Sequence, residues 1–321
     1  MKLTKSMSNV DVTEMLSTCS TLIPKDLIID SVKWKGLIWA ALRGRNALLV
    51  GPSRCGKTKS AQCLAKALNR PFFYFNLGST QDARATLIGN TTYKKDQGTV
   101  FNPSQFVTAI QTPNSIILLD ELSRGHHDAW NILMPVLDST QRYLRLDETS
   151  DSSIIKVEES VMFVSTANIG NEFTATKVID AALQRRFPVI IEIDALNFEQ
   201  EMNLLKVTFE GDFDKFKKPF ECICRISDDT KKQSAMDDAK ISTFIPTGTV
   251  IEMAQMVIDE FLLKEIAELV ILPLYDKEGG TDSERLYIKQ IIQKYLDVDS
   301  AGVASPITDP TKTGKKTRLP F

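Results

Sequence analysis

The sequence predicts a three-layer α/β fold with a parallel sheet, followed by a smaller helical domain. Three observations lead there. Five short, nearly continuous apolar runs recur between residues 24 and 195, at 47–50, 72–76, 115–119, 161–166 and 189–193. Strands that apolar are covered by helices on both faces, as parallel strands joined by crossover helices are. A glycine-bracketed turn and a helical pattern follow the first run, and beyond Ala195 the strand signals give way to helical periodicity.

Composition bounds the class. The 321 residues are 43% hydrophobic and 25% charged, enough for a sizeable core and ordinary for a folded chain. With 39 basic and 41 acidic residues the net charge is −2, so no general field draws in nucleic acid or an anionic membrane, and nucleic acid is not a favoured partner. Cys19, Cys55, Cys63, Cys222 and Cys224 are odd in number and lack Cys-x-x-Cys spacing, which argues against a disulfide framework or a zinc site. No run has the length of a signal peptide or a membrane span, so a cytoplasmic protein without membrane contact is expected.

Taken in order, residues 1–23 are polar and weakly patterned, and a short helix, a partner-binding arm and a disordered leader all stay open. Residues 24–195 form the α/β core. Between its first two strands Ala61, Leu64, Ala65 and Leu68 recur at helical spacing, in a helix beginning at the Gly56-Lys57 turn. Residues 196–299 form the helical domain, with helices at 197–210, 249–268 and 283–297 around a polar stretch at 228–240. Residues 300–321, rich in Ser, Thr, Pro, Gly and Lys, read as a flexible tail, and the basic run at 312–318 as a solvated one.

The strongest local signal is Gly51-Pro52-Ser53-Arg54-Cys55-Gly56-Lys57-Thr58, which fits G-x-x-x-x-G-K-[ST] between a predicted strand and a predicted helix. Glycines there let backbone N–H groups close around phosphate, and the helix N-terminus adds donors and a favourable dipole. ATP with Mg2+ is the implied ligand, with Lys57 between the β- and γ-phosphates and Thr58 on magnesium. Cys55 reads as a small tolerated residue rather than a redox switch. The 115–119 run ends in Asp120 and Glu121. Alone, such a pair is a solvated strand end. Downstream of a phosphate loop, Asp120 is the carboxylate for Mg2+ and Glu121 the group that orients or deprotonates the attacking water. His126 and His127, without a third partner at useful spacing, read as a polar loop or helix start.

With these motifs in place the chain resembles the AAA+ superfamily, and within it the MoxR group with its CbbQ and NorQ relatives. The likeness covers residues 24–275. Thr86-Leu87-Ile88-Gly89 is similar to the segment these proteins place before a helix insert, which would be residues 90–101. Residues 143–157 resemble a hairpin, and Phe163-Val164-Ser165-Thr166-Ala167-Asn168 an apolar strand ending in a polar sensor, Asn168. Asp180-Ala181-Ala182-Leu183-Gln184-Arg185-Arg186-Phe187 resembles the segment whose arginine reaches a neighbour's nucleotide: Arg186 by position, with Arg185 its rival.

The resemblance implies a P-loop AAA+ core with a helical lid, hydrolysing Mg-ATP in a homo-oligomeric ring of six. It further implies a remodelled client protein, with a partner bearing a von Willebrand factor A domain. Arg54 departs from the pattern, standing where many relatives carry glycine. Residues 245–249 depart too: the usual lid arginine is missing and Gly248 cannot replace it. A nucleic-acid motor or loader of another AAA+ branch, and a weakly hydrolysing nucleotide-gated assembly protein, are the other function classes that fit these motifs.

Overall fold

The structure, a computed structural model, describes residues 9–95, 98–146, 153–168, 180–236, 238–278, 280 and 283–299. The expected tail and its basic run lie outside them.

The chain opens with α1 (Asn9–Thr18), a 3-10 turn (Cys19–Leu22) and α2 (Ser31–Leu42), whose first turn is capped by Asp30. The Asp30 carboxylate accepts from Val32 N at 2.8 Å and Lys33 N at 3.2 Å. Of the readings open for the N-terminal segment, a helix is what forms: Val12 and Cys19 are buried, and the buried Trp34 donates from Nε1 to Cys19 O at 3.0 Å.

The α/β unit follows as β1 (Ala47–Val50), α3 (Lys57–Ala67), β2 (Phe72–Asn76), α4 (Ala83–Leu87), β3 (Gly89–Lys94), β4 (Gly98–Pro103), α5 (Gln105–Gln111), β5 (Ile116–Asp120), α6 (His127–Leu137), β6 (Tyr143–Arg145), β7 (Ile154–Lys156), β8 (Met162–Ala167), α7 (Ala181–Gln184) and β9 (Val189–Glu192). The five strands expected from the apolar runs form one sheet in the order β2-β5-β8-β1-β9, parallel at every pairing. Side chains alternate across it: Leu48, Ile117, Leu119 and Phe163 join the core formed with α4 to α7, while Leu49, Ile116, Leu118, Met162 and Val164 pack with α2 and α3. That alternation makes the three layers.

Beyond the sheet lie α8 (Phe198–Thr208), α9 (Lys217–Ser234), α10 (Thr247–Ile258), α11 (Leu263–Ile266) and α12 (Glu284–Asp299), around a separate apolar cluster that includes Leu205, Phe220, Ile223, Met253, Ile266 and Ile288. No helix among the described residues is long and apolar enough to cross a membrane.

Three expectations change. Residues 90–101 do not form a helix; β3 and β4 pair antiparallel, Asn90 opposite Asn102 and Thr92 opposite Val100, where β-branched and aromatic residues suit a ladder. The polar stretch at 228–240 is in large part the end of α9, whose buried Phe220, Ile223, Cys224, Ser227 and Thr230 recur at helical spacing, and Cys222 and Cys224 lie on that helix. The helix expected over 249–268 breaks after Ile258, where Glu260 takes φ 67° while Phe261 N donates to Met256 O at 3.0 Å and Glu260 N to Val257 O at 3.1 Å, the Schellman closure. The expected hairpin at 143–157 is present as β6 paired antiparallel with β7.

Candidate active site

Three adjacent central strands of the sheet end together. Val50 pairs with Ala167, and Leu119 with Ser165, so the loop after β1, the Asp120–Glu121 pair ending β5 and Asn168 after β8 meet at one edge. Carboxyl ends of parallel strands are where ligands bind in open α/β sheets.

Residues 51–56 form the loop and Lys57 opens α3. Gly51 has φ 148°, and a Cβ there would come within 2.1 Å of Ile193 O, so only glycine lets β1 turn so close to the end of β9. Gly56 caps α3 in the left-handed region with φ 92° and supplies no side-chain acceptor. The first-turn N–H groups of α3 are thus left for a ligand, which is what phosphate needs.

Lys57 is buried, and its Nζ donates to Gly51 O at 2.9 Å, to Pro52 O at 2.5 Å and to Asn168 Oδ1 at 2.9 Å. Burial pulls its pKa below the ordinary lysine value, while the nearby Asp120 and Glu121 charges oppose that shift. The Asn168 Nδ2 donates back to Ser53 Oγ at 3.2 Å, so Asn168 bridges the lysine and the loop.

Thr58 Oγ1 lies 3.3 and 3.2 Å from the two Asp120 oxygens. Two hard oxygen donors this close, one anionic, suit Mg2+. Thr166 Oγ1 donates to Asp120 Oδ1 and accepts from Glu121 N at 2.9 Å, fixing both acids to β8. Tyr74 OH donates to Asp120 Oδ2 at 3.1 Å, and its pKa is raised by burial and then by the Asp120 charge.

Glu121 sits in the left-handed region, φ 55° and ψ 42°, uncommon for a residue with a Cβ and a form of strain that gathers at functional sites. Its carboxylate is 3.5 Å from Arg124 Nη1. Against it lies Gly78, where a Cβ would come 2.2 Å from Glu121 Oε2 and 3.2 Å from Arg124 Cβ. Gly78 is therefore the floor on which the carboxylate rests.

Sequence reasoning assigned no role to Thr166, Tyr74 or Gly78. Thr166 was within reach, because it lies on the apolar run two residues before Asn168, the spacing that shares a face if the strand is continued. Tyr74 and Gly78 depend on β2 lying beside β5, which no local pattern states.

These motifs in this order on this sheet have a match among known families. Residues 46–187 match the AAA domain (dynein-related subfamily). This segment is an AAA+ ATPase domain. Over 163 residues the chain is 32% identical to a protein described as "Putative chaperone BssE" from Thauera aromatica, covering 50% of this chain and 54% of that protein. Over 294 residues it is 27% identical to the mitochondrial Lon protease homolog 1 of Dictyostelium discoideum, covering 87% of this chain and 28% of the relative. The chain thus spans about half the length of the first and far less of the second. A RuvB mutant from Thermotoga maritima shares the fold at a TM-score of 0.50 and 15% identity, over 86% of this chain and 72% of that one.

Within the AAA+ domain the two arginines of residues 180–187 are placed differently. Arg186 is part-buried: Nε donates to Met134 O at 2.8 Å, Nη1 to Ala182 O at 2.5 Å, and Nη2 lies 3.6 Å from Asp138 Oδ2. It caps α6, whose last carbonyl, Leu137 O, is taken by Asn46 Nδ2 at 2.8 Å. The Asp138 carboxyl is held below the ordinary aspartate value by hydrogen bonds from Thr140 and Gln141, with Arg186 adding to them. Arg185 is exposed and has no partner among the described residues.

Other singled-out residues have local structural roles. His126 caps α6, accepting from Asp128 N at 3.3 Å, and His127 stacks edge-on against Trp130 with ring centroids 4.9 Å apart. Cys55 is buried and its thiol pKa is pushed up to about 11 by burial, so it stays protonated and unreactive near neutrality.

Proposed function

We propose that the whole chain is a Mg-ATP-hydrolysing ring ATPase that remodels a client protein, of the MoxR kind. Lys57 and the loop amides bind and orient the β- and γ-phosphates, and Thr58 and Asp120 hold Mg2+. When bound, that ion neutralises charge developing on the phosphate oxygens. Glu121 accepts the proton of the attacking water, and Asn168, now bonded to Lys57, turns its amide to the γ-phosphate or to that water.

The observation that carries the ring is the position of Arg185 and Arg186. Asn46 Nδ2, just before β1, donates to Arg186 O at 2.9 Å, whereas the phosphate loop begins after β1. A strand of that length separates the two by about 13 Å. Both residues thus belong to the opposite edge of the sheet, where their side chains serve a neighbour's site better than their own. Arg186 is the finger by resemblance, and Arg185, whose side chain has no partner among the described residues, is the alternative that reaches out without breaking a cap.

The antiparallel pairs β3–β4 and β6–β7 support a protein client. Tyr93 on β3 is 77% exposed and Ile154 on β7 is 60% exposed. Exposed large side chains on small two-stranded elements are suited to gripping another chain. The similarity to a protein described as a chaperone adds to this reading. A partner with a von Willebrand factor A domain and a cytoplasmic location belong to the same proposal.

The native mass of Glu121→Gln by light scattering, with and without Mg-ATP, tests it. A ring of about six chains forming with ATP and weakened by Arg185→Ala or Arg186→Ala is expected. A monomer that binds ATP at every concentration removes the ring.

A further inference from the structure

Arg54, in the middle of the phosphate loop, holds a left-handed backbone with φ 59° and an exposed side chain that reaches the C-terminal helices. Its Nη1 donates to Thr249 Oγ1 at 3.2 Å. It also packs on the neighbouring glycine: a Cβ at Gly248 would lie 3.6 Å from Arg54 Nε and 3.7 Å from Arg54 Cβ. Gly248 and Thr249 are in the first turn of α10, so this hydrogen bond ties the loop to a different part of the molecule, 195 residues along the chain.

The placement is poor electrostatics on its own terms. A helix N-terminus carries partial positive charge, which disfavours a cation. The guanidinium there makes one neutral hydrogen bond, and no carboxylate pairs with it among the described residues. Most of its five N–H donors are unused, in a loop whose glycine turns and helix end are shaped for phosphate.

We propose that Arg54 is the γ-phosphate-sensing arm of this site, and that by sharing its guanidinium between the terminal phosphate and Thr249 it couples α10 to the nucleotide state. The proposal rests on the reading of residues 51–58 as an ATP site. The two departures from the family pattern, an arginine gained in the loop and one missing from α10, then meet at a single contact. ADP lacks the phosphate that Arg54 reaches, so the arm separates ATP from ADP.

The test is calorimetric binding of ATPγS and of ADP, with Mg2+, to the full chain and to Arg54→Gly, Arg54→Lys and Thr249→Val. Glycine suits the left-handed φ and removes the arm without straining the loop. Arg54→Gly is expected to weaken ATPγS about 10- to 100-fold and leave ADP within about twofold, with Arg54→Lys in between. Thr249→Val is expected to keep both affinities yet lose the ATPγS-dependent change in amide hydrogen exchange over residues 247–258. Equal losses for ATPγS and ADP in Arg54→Gly reduce Arg54 to loop scaffolding and overturn the proposal. A wild-type α10 without the exchange response, or a Thr249→Val chain that keeps it, overturns the coupling. Wild-type protein that binds neither nucleotide removes the site itself, a failure distinct from these two.

Discussion

Lys57 Nζ donates to Asn168 Oδ1 at 2.9 Å, joining the first residue of α3 to the residue that follows β8. The same lysine also donates to two carbonyls of its own loop, Gly51 and Pro52. Its ammonium is therefore already placed over the loop, and Asn168 is the partner it can exchange for phosphate. Asn168→Ala is expected to lower kcat by roughly 100-fold, the scale of one lost transition-state hydrogen bond, with a much smaller change in ATP affinity. Steady-state kinetics beside equilibrium binding checks the split.

A Cβ at Gly78 would meet the flexible Glu121 Oε2 at 2.2 Å and also Glu121 Cβ at 3.0 Å and Arg124 Cβ at 3.2 Å, so an added methyl group displaces the carboxylate and presses on the turn that carries it. Gly78→Ala is expected to cost about 1 to 3 kcal/mol of stability. Its kcat falls roughly 10- to 100-fold, because small displacements of a catalytic group are costly. Thermal unfolding and turnover measured on the same preparation separate the two effects.

The arginine pair gives a second separation. Arg186→Ala leaves Met134 O without its side-chain donor and is expected to cost about 1 to 3 kcal/mol of stability as well as turnover. Arg185→Ala removes no side-chain bond among the described residues and is expected to leave the melting temperature unchanged. Whichever variant loses about 10³-fold or more in kcat at a ring-forming concentration carries the finger role.

Cys55 supplies a pH prediction. Its thiol is pushed up to about 11, and only the thiolate alkylates. Labelling of Cys55 by iodoacetamide, followed by mass spectrometry, is expected to rise about tenfold per pH unit between pH 7 and 10 and to level off only near 11. A plateau near 8.5 would place the thiol in an ordinary solvated setting.

What the sequence made legible follows from where each signal is local. The five sheet strands were readable to within one residue at each end because burial on both faces makes them uninterrupted apolar runs, and Gly51 to Thr58 because every residue of the motif lies in one turn. The segment 90–101 was misread because its polar Thr91 and Thr92 lie on a ladder outside the main sheet, where no core imposes a pattern. In α9, the charged residues from Asp228 to Lys232 hid a helix whose buried face carries small or polar groups such as Cys224, Ser227 and Thr230. The contacts Arg54–Thr249, Tyr74–Asp120 and Gly78–Glu121 are products of topology alone, and no window of sequence contains them.

The central claim is that Gly51–Thr58, Asp120 and Glu121 form a site that hydrolyses Mg-ATP, with Glu121 acting on the water. The most direct measurement is phosphate release by the wild-type chain and by Glu121→Gln, each beside its affinity for ATP. The account predicts Mg-dependent turnover in the wild type and, in Glu121→Gln, a fall of roughly 10²- to 10⁴-fold with ATP still bound. Turnover by Glu121→Gln equal to that of the wild type would contradict it.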